Sequence, residues 1–203
     1  MNDTSIFLRG LIIGFSIAAP VGPIGVLCIR RTLADGRLAG LLSGMGAASA
    51  DMFYGAVAAF GLTAVQDLLI GQSNWMRIVG GIFLLYLGVK TFFAKPAEDA
   101  AKSSRGGLFG TYLTTFFLTI TNPLTILSFI AIFAGLRLGE TDASYISASV
   151  MTLGVFLGSA IWWLTLSMGV SFLREKFSPN ILAWVNRLAG AIIFVFGALA
   201  LFL

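Results

Sequence analysis

The fold is decided by Gly14–Arg31, which reads GFSIAAPVGPIGVLCIRR. The stretch overlaps a run of 20 uncharged residues, Gly10 to Ile29, and a bilayer core needs ~20 mainly apolar residues in a helix. In its middle, Pro20 and Pro23 flank Gly22. Proline removes a backbone N–H and clashes with the carbonyl one turn earlier. The stretch therefore predicts a transmembrane helix that is broken near mid-span.

The break frees backbone groups that cannot stay unpaired in lipid, so they must be buried in protein or line a wet cavity. A cavity at that point would offer a solute both carbonyl acceptors and the N–H donors of a helix end. The alternative is a kink that serves helix packing alone. Pro20, Gly22 and Pro23 are therefore candidate substrate-binding residues.

The composition indicates the same environment. Of the 203 residues, 58% are hydrophobic and 11% charged, whereas a soluble domain has about 45–50% apolar and roughly 25% charged residues. This excludes a soluble or disordered chain and indicates an integral membrane protein. The net charge of +4 is better explained by basic cytoplasmic loops than by nucleic-acid binding. With no histidine and one cysteine, the chain lacks imidazole ligands and cysteine pairs, so we expect no metal and no cofactor.

Charged residues divide the chain into six apolar segments that are each long enough to cross a bilayer. The predicted transmembrane helices are roughly 7–29, 38–64, 75–93, 107–134, 144–172 and 181–203. The connections are short, and no soluble head is predicted. We therefore predict an all-α integral membrane protein whose single domain, residues 1–203, works inside the membrane.

Basic residues predict the orientation, because cytoplasmic loops collect lysine and arginine. Ten of the 13 lie on the side of the connections between helices one and two, three and four, and five and six. These ten are Arg30, Arg31, Arg37, Lys90, Lys95, Lys102, Arg105, Arg174, Lys176 and Arg187. That side is predicted to be cytoplasmic, which places both termini on the other side of the membrane.

The two halves of the chain share patterns. The spacing W-x5-G-x6-G starts at Trp75 in helix three and at Trp184 in helix six. Ile17–Pro20 and Ile120–Pro123 align at an offset of 103 residues. The same offset relates Asp51-x3-Gly55 in helix two to Gly154-x3-Gly158 in helix five. A duplicated three-helix unit forms an inverted repeat, a plan common among secondary transporters. The predicted division is a first repeat, a cytoplasmic linker and a second repeat, at about 1–94, 95–106 and 107–203.

Asp51 is predicted to lie near the centre of helix two, and no other charged residue occurs between Leu38 and Gln66. A carboxylate at mid-bilayer costs ~2.5–3.5 kcal/mol on insertion scales. A carboxyl group retained there can exchange a proton during a transport cycle, or it can pair with a substrate ammonium. The alternative is a structural hydrogen bond to a neighbouring helix.

Thr121-Asn122-Pro123 is the third candidate, within helix four. Asn122 brings a donor and an acceptor to the point where Pro123 frees backbone groups. It could instead serve only to satisfy those groups, and the two roles are compatible. All three residues are candidate substrate-binding residues.

Other features predict packing. Small residues four apart, such as Gly10 and Gly14, allow close approach of helices, and exposed faces of this kind would also allow a homodimer. Trp162 and Trp163, deep in helix five, could line a cavity, but packing against lipid or core is the favoured interpretation. Cys28 is expected to fill space as a small apolar residue.

Taken together, these segments resemble the LysE/RhtB family of amino-acid exporters. The similarity is carried by Gly14–Arg31, by AASAD at residues 47–51, by GGIFLLYLG at residues 80–88, and by Thr121-Asn122-Pro123. It covers essentially the whole chain. The resemblance implies six helices, an inner-membrane location, and export of amino acids or related small metabolites driven by the proton gradient.

Two positions depart from the family pattern. Many relatives read Pro-Gly-Pro in helix one, where Val21 separates Pro20 from Gly22 here. Many carry lysine after the helix-four Asn-Pro, where this chain has Leu124. The family varies in cargo, so the resemblance does not name the substrate.

The resulting hypothesis is a secondary exporter with alternating access and no enzymatic activity. The carboxylate of a zwitterionic substrate would meet helix-end N–H groups near Gly22 and Asn122, and its amine would face Asp51. Enzyme classes are disfavoured because redox carriers need paired cysteines and aspartyl proteases need two intramembrane carboxylates. The alternatives are a passive channel and an exporter of another small solute, such as a cation.

Overall fold

The computed structural model describes residues 3–20, 22–60, 73–93, 107–122, 125–126, 128–129, 145–174 and 179–202. Across these ranges the chain forms helices and turns and no strand, in agreement with the all-α prediction. The ranges contain seven bounded helices: α1 Asp3–Ala18, α2 Pro23–Asp35, α3 Arg37–Ala59, α4 Ser73–Phe92, α5 Gly107–Ile120, α6 Tyr145–Arg174 and α7 Pro179–Phe202.

The segment predicted as helix one contains two helices. α1 ends at Ala18, α2 begins at Pro23, and the two helix axes differ by 79°. Pro23 lies in the first turn of α2, where a missing N–H costs no helical hydrogen bond. The Val26 N–H closes that turn on the Gly22 carbonyl at 3.0 Å. The bend therefore falls in the short segment that carries the two prolines.

Two buried arginines explain why α2 continues beyond the predicted helix end at residue 29. The Arg30 Nε donates to Oδ1 of Asn186 on α7 at 2.9 Å. The Arg31 Nη1 donates to the hydroxyls of Ser43 on α3 and Thr115 on α5, at 2.9 and 2.8 Å. Polar partners compensate the burial of a guanidinium, so these charges do not end the helix. They tie α2 to three other helices instead.

α1 packs closely against α6, and the two helices run in the same direction. Gly10 lies against the Met151 backbone, and Gly14 lies one turn further along against the Val155 backbone. Neither glycine has room for a Cβ atom. The contact therefore depends on the small residues that the sequence places four apart.

α3 lies between α5 and α6. It runs parallel to α5, since Gly46 meets the Tyr112 backbone and the Tyr54 hydroxyl, further along, donates to the Ile120 carbonyl. It runs antiparallel to α6, because the Trp163 side chain lies against Gly44, and Val155, earlier in α6, lies against Gly55 further along α3. The α3 residues that form these contacts are Gly44, Gly46, Tyr54 and Gly55. α3 is thus the helix that links the other two at the centre of the described fold.

α4 and α7 form a second closely packed pair, and they run antiparallel. A Cβ on Gly197 would meet the Gly81 carbonyl, and a Cβ on Gly190 would meet the Gly88 carbonyl. These four glycines are the ones that the repeated W-x5-G-x6-G spacing singles out. The pattern therefore marks a helix contact.

The outer surface and the helix lengths suit a membrane. Large apolar side chains stand exposed on α4, α6 and α7, among them Trp75, Phe172 and Trp184, which would be unusual over so wide a surface in water. By length and composition, Tyr145–Leu173 and Asn180–Leu199 could each cross a bilayer, and the bent α1–α2 pair would be a third span. α4 and α5 contain shorter apolar helices.

The ends of α4, α6 and α7 lie within two residues of the predicted ends of helices three, five and six. Other predictions fall outside the described residues. These are the end of helix two beyond residue 60, the linker at 95–106, Pro123 and Leu124, and the end of helix four near 134.

Candidate functional site

A cavity of about 180 Å³ opens where the segment between α1 and α2 meets α3, α5 and α6. A cavity of this volume suits a small solute. The residues that line it are Ile17, Ala18, Pro20, Gly22, Pro23, Ile24, Gly25, Asp51, Thr119, Asn122, Thr125, Ser128 and Trp163. The segment between α1 and α2 and the residues at the end of α5 thus contribute to one cavity.

Asp51 supplies the acidic group of this lining. The residue is buried on α3, with 3% of its surface exposed. Its Oδ2 accepts a hydrogen bond from the Ser159 hydroxyl on α6 at 2.6 Å. Within the described ranges, no lysine or arginine forms an ion pair with it. The carboxyl group is therefore held by a neutral donor and has no basic partner there.

The predicted site residues come together at the cavity, with one exception among those that the structure describes. Pro20, Gly22, Pro23, Asp51 and Asn122 all line it. Thr121 does not: its hydroxyl donates to the carbonyl of Phe117 at 2.7 Å, and its backbone lies against Gly80 of α4. Pro123, the remaining predicted site residue, lies outside the described residues. Thr121 thus forms its contacts at the end of α5, whereas Asn122 lines the cavity.

Asn122 forms hydrogen bonds with backbone and side-chain groups at the end of α5. Its backbone N–H donates to the Thr119 carbonyl at 3.2 Å, and its own carbonyl accepts from the Ile126 N–H at 3.2 Å. Its side-chain Nδ2 donates to the Thr125 hydroxyl at 3.0 Å. Asn122, Thr119 and Thr125 all line the cavity, so these hydrogen bonds shape its polar wall.

The α2 N-terminus also faces the cavity. Gly22 is its N-cap residue, and no side chain among the described residues caps this end by a hydrogen bond. Ile24 and Gly25, in the first turn, line the cavity. The first-turn N–H groups of a helix lack intrahelical acceptors and carry a partial positive charge. This end of α2 can therefore bind an anionic group.

Two lining or neighbouring residues on α6 were not among the predicted site residues. Ser159 is fully buried and bonds Asp51, and Trp163 is 3% exposed and lines the cavity. Trp162, by contrast, is half-buried and packs edge-on against Phe15, with ring centroids 5.4 Å apart. Ser159 and Trp163 are four residues apart in a segment without charges, and this spacing places them on one face of a helix. That spacing indicates a shared helix face, but it does not distinguish Ser159 from other serines in membrane helices.

Comparison with known proteins connects this geometry to a family. The family model described as "LysE type translocator" matches residues 15–203. The chain belongs to the LysE type translocator family. The match includes every residue that lines the cavity and the whole of α2 to α7. The resemblance stated from the sequence motifs is thereby confirmed.

Similar proteins are found in two bacteria. The "Putative amino acid efflux protein YcgF" of Bacillus subtilis is 27% identical over 197 residues, covering 95% of this chain and 93% of that protein. The "Uncharacterized membrane protein YahN" of Escherichia coli is 31% identical over 173 residues, covering 83% of this chain and 76% of that protein. None of the solved structures gives a significant match.

In this LysE type translocator, the cavity combines one carboxyl group, an uncapped helix N-terminus and a wall of hydroxyl, amide and apolar groups. Such a set can bind a small molecule that carries a positive and a negative group. Among the described residues, no three Cys, Asp or Glu side chains are grouped as a metal site would require.

Proposed function

We propose that this translocator exports amino acids or related small metabolites across the bacterial inner membrane, and that the cavity at Asp51 is its substrate site. The observation that carries the proposal is a buried carboxyl group beside a broken helix, in a cavity of about 180 Å³. A carboxyl group without a basic partner is costly to retain inside a membrane, which favours a functional role over a structural one. The family match supports transport as that role.

The proposed pose follows from the charges around the cavity. The substrate carboxylate binds at the α2 N-terminus, where the first-turn N–H groups near Gly22 are uncapped. The substrate ammonium pairs with Asp51. Asn122 presents its amide on the same cavity wall and contacts the substrate carboxylate. The two opposite charges of a zwitterion are thus each matched by a complementary group of the same cavity.

Proton coupling in this proposal depends on competition at Asp51. When a proton arrives from the outer side, Asp51 becomes neutral and loses its attraction for the substrate ammonium. The substrate then leaves outward, and release of the proton to the cytoplasm restores the carboxylate. The Ser159 hydroxyl stabilises that carboxylate by donating a hydrogen bond at 2.6 Å.

We also propose six spans, formed by the α1–α2 pair, α3, α4, α5 with the residues that follow it, α6 and α7. Helix directions support this assignment. Spans one and five are both odd-numbered and run parallel, as do spans two and four, whereas spans two and five, and three and six, run antiparallel. These directions are expected for a chain whose successive spans cross the membrane in opposite directions.

The packing also supports the inverted repeat. An exchange of the two halves converts the contact of α1 with α6 into that of α5 with α3, and both contacts are extensive. The same exchange equates Gly81 with Gly190 and Gly88 with Gly197, so the Gly81–Gly197 contact becomes the Gly190–Gly88 contact. Rocking of the two repeats, about 1–94 and 107–203, would then expose the cavity to each side in turn.

The orientation of the termini is a separate prediction. We expect a reporter enzyme fused after Leu203 to be active on the outer side of the inner membrane, because ten of the 13 basic residues lie on the opposite side. A pair of reporters, one active only in the cytoplasm and one only outside it, measures this directly. Cytoplasmic activity would overturn the proposed topology while leaving the cavity assignment intact.

The function is tested by comparing the culture medium of bacterial cells with and without this chain. Metabolite analysis should show at least one amino acid or close relative whose concentration in the medium rises several-fold when the chain is produced. The matched control is the Asp51→Asn variant at the same membrane abundance, which should abolish the rise. Unchanged medium over a full amino-acid panel would contradict the proposal.

A further inference from the structure

The charge of the cavity is limited to a single carboxyl group. Asp51 is the one ionisable residue in the lining that the structure describes. The sequence extends this result to the helix segments around it. Residues 10–29, 106–136 and 143–173 contain no charged residue, and Asp51 is the only one in residues 38–66. Neighbouring positions in the two broken segments therefore cannot add a second charge to the cavity.

A zwitterionic head group pairs with both charged features of the described site, which are the carboxyl group and the helix N-terminus. Its ammonium pairs with the Asp51 carboxylate, and its carboxylate binds at the α2 N-terminus, which carries a partial positive charge. A second cationic group, on the side chain of lysine or arginine, would enter a membrane-buried cavity without a counter-charge. An acidic side chain would lie near Asp51 and be repelled by it.

The remaining lining is apolar or neutral and polar. Ile17, Ile24 and the Trp163 ring supply apolar surface, while Thr125 and Ser128 supply hydroxyl groups. A side chain beside the head group would therefore meet no charge.

Trp163 adds an independent observation. Its indole Nε1 is buried and has no hydrogen-bond partner among the described residues. An indole N–H can only donate, and buried polar groups are normally paired. A neutral acceptor on a bound solute would supply the missing partner.

We propose that the cavity takes a zwitterionic amino acid with a small, uncharged side chain, either apolar or carrying a neutral hydrogen-bond acceptor. This inference rests on the proposed function and narrows it to a substrate class. The volume of about 180 Å³ agrees with a small solute, and the described lining offers a second charged group no counter-charge.

The test uses the purified full chain in proteoliposomes loaded with unlabelled amino acid, and measures counterflow of radiolabelled leucine, threonine, lysine and glutamate. Leucine or threonine should be exchanged at least ~10-fold faster than lysine and glutamate. Exchange of lysine or glutamate at the rate of the better neutral substrate would overturn the inference while supporting the proposed function. Exchange of none of the four would contradict the proposed function itself.

A second variant tests the charge argument in the opposite direction. Ser128→Asp adds a carboxyl group to the cavity wall, and Ser128→Asn has the same shape without the charge. We expect the ratio of lysine to leucine exchange to rise at least ~10-fold in Ser128→Asp relative to Ser128→Asn. Equal ratios in the two folded variants would overturn the inference, and if Ser128→Asp does not fold, the wild-type panel still decides it.

Discussion

Replacement of Asp51 by asparagine is expected to lower the initial rate of amino-acid exchange by at least ~100-fold. Asparagine keeps the size of the side chain and can still accept the Ser159 hydrogen bond, but it cannot balance a substrate ammonium or exchange a proton. Removal of one partner of a buried charge pair costs about 3–5 kcal/mol, and every 1.4 kcal/mol corresponds to a factor of ten. Counterflow in proteoliposomes measures the rate at a known amount of protein.

Ser159→Ala is the graded comparison for this variant. It removes the 2.6 Å hydrogen bond and leaves the carboxyl group in place. A hydrogen bond to a charged group contributes ~1.5–3 kcal/mol, so the exchange rate should fall by roughly 10- to 100-fold, less than in Asp51→Asn. Equal thermal stability of the two variants in detergent would show that folding is not the cause. If Asp51→Asn retained full proton-coupled export, the central role of Asp51 would be refuted.

Replacement of Gly158 by alanine should give the largest loss of stability among single methyl additions to α6. A Cβ at this position would meet the Leu11 carbonyl and the Phe15 N–H, both of which are backbone groups of α1. Backbone cannot move aside as the end of a side chain can, so α1 must shift away from α6. Overpacking of this kind typically costs ~1–3 kcal/mol. Thermal unfolding in detergent should therefore show a midpoint several degrees below that of the wild type.

Gly169→Ala is the matched control on the same helix. Among the described residues, no heavy atom outside the surrounding turns of α6 lies within 4 Å of the position that its Cβ would occupy. Because alanine favours helix over glycine by roughly 0.5–1 kcal/mol, this variant should be as stable as the wild type or slightly more stable. If both variants unfolded at the same temperature, the tight α1–α6 contact would be contradicted.

The sequence was most informative where a residue type conflicts with its surroundings. A carboxyl group in a segment of apolar residues stands out without any alignment, as do two prolines within a predicted membrane helix. Asp51, Pro20 and Pro23 could therefore be chosen as site residues from the sequence, and all three line the cavity. The repeated glycine spacing was equally visible, because close packing of helices depends on the absence of a Cβ.

Partners brought together by tertiary packing were less accessible to prediction. Ser159 is 108 residues from Asp51, and serine is an ordinary residue in a membrane helix, so nothing local distinguishes it. The end of α2 was misjudged for a related reason. Arg30 and Arg31 have the character of loop residues in the sequence, yet polar groups of three other helices hold both of them in the buried part of α2.

Proton-driven export through the Asp51 cavity can be measured in inside-out membrane vesicles with an acidic lumen. Labelled leucine or threonine offered outside should accumulate in the lumen above its external concentration as protons leave. A protonophore should abolish the accumulation, and Asp51→Asn should prevent it. Uptake that only equilibrates with the external concentration, or accumulation that persists in Asp51→Asn, would contradict the account.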